Sequence, residues 1–127
     1  MDVITILGAV ILAYGGMLVV YYRSRSTERK EKTSDLMLNG IKSMRRGNLD
    51  KALIYFNGAY EYCMKNDNME NNVEILYYIG LIYKEKGDIE NAIQYLKAAN
   101  EIYFQLNDTE GAKKVKAAII SIRGLEN

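Results

Sequence analysis

The sequence predicts an all-α protein: an N-terminal transmembrane helix followed by a short α-solenoid of two helical pairs and a closing helix. Three observations carry this. The 127 residues contain no proline, so nothing removes a backbone donor or breaks a helix from within. Residues 3–22 run VITILGAVILAYGGMLVVYY without a charge. Two later segments, LMLNGIKSMRRGNLDKALIYFNGAYEYCM from Leu36 and LYYIGLIYKEKGDIENAIQYLKAANEIYF from Leu76, align with each other 40 residues apart.

The uncharged stretch of 20 residues corresponds to about 30 Å of helix, the thickness of a bilayer core. Residues 1–22 are therefore expected to be a single-pass anchor in contact with lipid through residues 3–22. A cleaved secretory signal is the rival reading, but it wants a basic start and a small-residue cleavage site. This chain begins Met1-Asp2, and its apolar run ends in Val19-Val20-Tyr21-Tyr22 followed by arginine. Ala9, Ala13 and Gly16 fall on one face at spacings of four and three, a candidate contact for another membrane helix.

Residues 23–33 form a basic juxtamembrane linker, in which Arg23, Arg25, Arg29, Lys30 and Lys32 outnumber Glu28 and Glu31. Positive charge after the span and none before it puts the C-terminal domain on the cytoplasmic side. The remainder is close to balanced within a net charge of +1, which argues against nucleic acid as a partner.

Residues 34–127 are the repeat domain. In the alignment Gly40 pairs with Gly80, Gly47 with Gly87, Leu49 with Ile89, Asp50 with Glu90, Ala52 with Ala92, Phe56 with Leu96, and Ala59 with Ala99. Gly40 and Gly80 sit inside a first helix and allow a close neighbour. Gly47 and Gly87 suit the left-handed conformation that ends a helix, and Asn48 or Asp88 can then cap the next. The second helices carry apolar residues at spacings of three and four, one buried stripe each. After Asn107-Asp108-Thr109 a last helix is expected, with Ala112, Val115, Ala118 or Ile119, and Ile122 on one side and Lys113, Lys114 and Lys116 largely on the other. It reads either as a cap or as the first half of a third pair.

These residues resemble the tetratricopeptide repeat (TPR) family over roughly residues 34–104. The 40-residue spacing exceeds the family's usual ~34 and resembles its longer-helix subtype. Asn39 and Ser43 depart from the pattern, standing where the family usually shows apolar or aromatic residues. The resemblance implies protein recognition in a groove lined by the first helix of each pair. On that basis Met37, Ile41, Met44, Arg45, Tyr77, Leu81 and Lys84 are the expected groove residues. Repeat proteins that grip a terminal carboxylate carry lysine and asparagine at the inner positions, where this chain has Met37, Ile41, Tyr77 and Leu81. An apolar lining with methionines suits an amphipathic helix. The alternative is that these side chains pack on the closing helix or on each other.

No histidine, phosphate loop or nucleophile elbow is present, so neither a catalytic role nor a metal, cofactor or small-molecule substrate is expected. Cys63 stands alone and reads as a small core residue rather than a reactive thiol. Two roles follow: an adaptor or receptor that recruits a protein to the membrane, or an accessory subunit of a larger membrane complex held through its span.

Overall fold

A computed structural model describes residues 2–65 and 69–126; the side chains of residues 24–31, 69, 70, 125 and 126 are outside that set. The side chains of Arg25, Arg29 and Lys30, central to the expected basic linker, therefore lie outside the described residues. All regular structure among the described residues is helical: α1 (Val3–Arg45), α2 (Leu49–Met64), α3 (Met69–Glu85), α4 (Ile89–Gln105) and α5 (Thr109–Glu126). The chain divides into two units, Met1–Lys32 and Thr33–Asn127. Helix α1 contributes its first part to one and its last part to the other.

In the first unit the segment Val3–Arg23 is long and apolar enough to cross a membrane, and none of it is buried. Apolar side chains such as Ile4, Leu12, Met17 and Val20 are exposed around the whole circumference. A helix of this kind in water would leave every one of them solvated, which lipid would not.

The second unit is built from local signals that recur. Gly47 and Gly87 take φ of +78° and +82°, and the turn before α5 uses Asn107 at +57° in the same place. At each turn the backbone closes the same pair of bonds. Asn48 N donates to Ser43 O at 2.9 Å and Gly47 N to Met44 O at 3.0 Å. Asp88 N donates to Tyr83 O at 2.9 Å, and Asp108 N to Tyr103 O at 2.9 Å. This is the helix-ending pattern that a left-handed residue permits. The next residue then caps the following helix: Asn48 Oδ1 accepts from Lys51 N, Asp88 Oδ1 from Asn91 N, and Asp108 Oδ1 from Gly111 N at 3.0 Å.

Two apolar clusters form the core. The first joins Met37, Ala52, Phe56, Ala59 and Cys63 to Ile75, Ile79 and Ile82. The second joins Val73, Leu76, Ala92, Leu96, Ala99 and Tyr103 to Val115, Ala118 and Ile122. Helix α3 supplies both, one face to each, which makes it the central layer. Burial of a side chain such as Phe56 or Leu96 contributes about 1.5–3 kcal/mol. The glycines set how closely the pairs cross. A Cβ at Gly40 would lie 2.7 Å from the Phe56 ring, and one at Gly80 2.8 Å from Leu96. Gly111 does the same for the Tyr103 ring, at 2.3 Å.

Ser43, one of the two departures from the apolar pattern, is buried with its hydroxyl donating to Asn39 O at 2.9 Å, so its polar group is satisfied within its own helix. Cys63 is buried, and that burial pushes its thiol up from the ordinary range against a smaller lowering by a hydrogen bond with Thr33. A thiol held protonated is a poor nucleophile.

Candidate protein-binding face

The first helices of successive pairs, the end of α1 and all of α3, carry the expected groove residues, and α5 continues the series by packing on α4 as α3 packs on α2. The structure sorts the seven residues into two groups. Met37 is in the first cluster at 9 % exposure, with Ile41 and Met44 half-buried against it. Tyr77 and Leu81 are half-buried against the second cluster. Arg45 is exposed at the end of α1. Little of Met37 is left for a partner, because it is buried in the first cluster; the exposed and half-buried expected residues on the first-pair side are Ile41, Met44 and Arg45.

Helix α5 meets the second group directly. The Lys114 ammonium lies 4.3 Å from the centre of the Tyr77 ring, and Lys84 Nζ donates to Ser121 Oγ at 3.0 Å. Lys114, expected on the solvated side of its helix, is exposed there and leans over an aromatic of α3. A cation over the half-buried Tyr77 ring contributes about 0.5–1 kcal/mol, enough to bias side-chain direction but not to close the face.

Tyr78 joins the two groups, and it was not among the expected residues. Its ring stacks on Phe56 with centroids 5.1 Å apart and lies edge-on to Tyr77 at 5.7 Å. Burial pushes its phenol up, Glu74 adds to the rise, and the Arg45 guanidinium opposes it. Tyr77 is raised by burial first and by Tyr78 second. Tyr103, on α4, is pushed up to about 12, chiefly by burial and then by Glu74. Phenols raised in this way stay protonated across the neutral range. Helical spacing puts Tyr78 one turn after Glu74 but carries no signal of its stack on Phe56, a contact between helices.

In the apolar segment Val3–Arg23, Ala9, Ala13 and Gly16 are exposed, and a Cβ at Gly16 would meet nothing within 4 Å. No group of three or more metal-ligating side chains occurs among the described residues.

Paired antiparallel helices with a glycine at each crossing define a helical-repeat domain, with Tyr77 and Tyr78 on a face that also carries Arg45, Glu74 and Lys84. The family model described as "Soluble NSF attachment protein, SNAP" matches residues 20–125, and the chain belongs to that family. It is a family of helical-repeat protein-interaction scaffolds with a TPR-like superhelical fold, which supports the helical-repeat reading. No match is found among curated proteins or among solved structures.

Proposed function

We propose that this protein is a membrane-anchored interaction module that holds a partner protein at the cytoplasmic face of a membrane. The family is named for attachment to NSF, which describes a linking job between proteins rather than a reaction. The observation that carries the membrane part is the segment Val3–Arg23, apolar and exposed throughout, followed by a basic run. The partner is a protein segment with apolar anchors, an amphipathic helix being the best fit to Ile41, Met44, Tyr77 and Leu81 with Arg45 and Lys84 at the edges.

The second reading, an accessory subunit of a membrane complex, is favoured by one feature, the small-residue face of Ala9, Ala13 and Gly16. Exchanging residues 3–22 for an unrelated apolar helix separates the two. Partner binding that survives the exchange supports the adaptor; loss of association with an integral-membrane complex supports the subunit. Within the face, Arg45→Glu reverses an exposed charge without touching the core, while Ile41→Glu removes an apolar anchor. Both are expected to weaken partner capture from detergent extracts with helicity unchanged, and unaltered capture by both would exclude this face.

A further inference from the structure

An open cleft runs between the second helices α2 and α4, with the start of α3 at its base. Its volume is about 440 Å³, within the ~300–1,000 Å³ of ordinary ligand sites. Helix α2 contributes Tyr60 and Met64, α3 contributes Asn72 and the buried Leu76, and α4 contributes Tyr95 and Ile102 among others. Charged residues make up 26 % of the chain, yet none among the described residues lines this cleft. It carries instead the carboxamides of Asn72, Asn91 and Gln94 beside its apolar walls.

Asn72 is held at a cost. Its Oδ1 is buried and accepts no hydrogen bond, while its Nδ2 has only a long contact of 3.8 Å to Met64 Sδ. An unpaired buried acceptor subtracts from folding free energy, which a leucine at this position would not. Asn91 adds a second acceptor: its Nδ2 is committed to Asp88 Oδ2 at 2.7 Å, which leaves Oδ1 as its open end. The Tyr95 wall is fixed, since its ring stacks on Tyr83 with centroids 5.5 Å apart. Met64, exposed and unbranched, is the side chain that can swing aside to open the Asn72 amide.

Free acceptors in an uncharged cleft select the occupant. A helix has already spent its backbone N–H groups on its own carbonyls, and a lipid chain has none to give. A cationic donor would lose its hydration with no carboxylate in the cleft to pair with. An extended peptide keeps its backbone N–H groups free and sets side chains between them. We propose that this cleft binds an uncharged, extended segment of a partner protein. One backbone N–H of that segment donates to Asn72 Oδ1, and an apolar side chain settles between Tyr60, Tyr95 and Ile102. The cleft shares no residue with the tyrosine face, so the inference does not rest on the function proposed there.

The test presents the full chain, in phosphatidylcholine nanodiscs, to an array of uncharged heptapeptides. The tightest binder is then made with a neutral dye, and again with each backbone nitrogen methylated in turn, which deletes one donor at a time. Fluorescence anisotropy is expected to find one methylation that weakens binding about tenfold or more. Asn72→Leu should lose a similar factor for the unmethylated peptide and nothing further for that methylated one, because the two changes remove the same bond. The same variant should keep or raise the melting temperature, whereas loss of a merely structural asparagine would lower it. Ala98→Phe, which fills the cleft, should abolish binding, and Ile41→Glu on the tyrosine face should leave it unchanged. No peptide held more tightly by the native chain than by Asn72→Leu, tolerance of every methylation, or binding removed by Ile41→Glu overturns the proposal. So does a tightest binder that circular dichroism shows to be helical when bound.

Discussion

Gly40 and Gly80 each mark the point where a second helix presses on the first. Adding one carbon at Gly80 puts it 2.8 Å from Leu96 and 3.4 Å from the Ala92 carbonyl, so the pair must separate. Gly80→Ala is expected to cost about 1–3 kcal/mol in urea unfolding, with part of the loss recovered when Leu96→Val is added. Gly87 works differently. Its φ of +82° is one that alanine adopts only with strain, and Gly87→Ala should destabilise by about 1 kcal/mol with nothing clashing. Tyr103 supplies a residue-scale test in pH. Its phenol titrates near 12 in the folded chain and near 10 when unfolded. Between those values the unfolded state has lost a proton that the folded state keeps, so stability contributed by this group is whole below 10 and drains away as the pH climbs toward 12. Tyr103→Phe should flatten that alkaline fall and remove the latest phenolate absorbance step in a spectrophotometric titration.

At the scale of elements, α3 decides the architecture. It buries Ile75, Ile79 and Ile82 against α1 and α2 and Val73 and Leu76 against α4, so each pair leans on the other through it. Helix α5 closes only one side of the second cluster, and its hold comes from Val115, Ala118 and Ile122. Val115→Asp places an unpaired charge in that contact and is expected to melt α5 first. Hydrogen exchange should report loss of protection in α5 and α4 before any change in α2. Uniform loss over all four helices would mean that the unit unfolds as one.

The whole molecule is two units of different solvent preference. The unit Thr33–Asn127 holds both apolar clusters, while Val3–Arg23 contributes to neither. A fragment beginning at Thr33 is therefore expected to stay helical and to melt cooperatively in water without detergent, whereas the intact chain should partition with membranes and resist alkaline extraction. The turns, caps, crossing glycines and buried stripes could all be read in advance from the residues, because each is set within a few positions of chain or repeats at a fixed interval. Asn48 and Asp88 cap as their residue types dictate, and Cys63 is the buried core residue its surroundings implied. The burial of Met37, the bridging place of Tyr78 and the lean of Lys114 over Tyr77 could not be read in that way. Periodicity says which side chains share a face of one helix. The angle and rotation at which that helix meets a neighbour distant in sequence decide what the face touches, and those emerge only when Phe56, Leu96 and their surroundings are packed together.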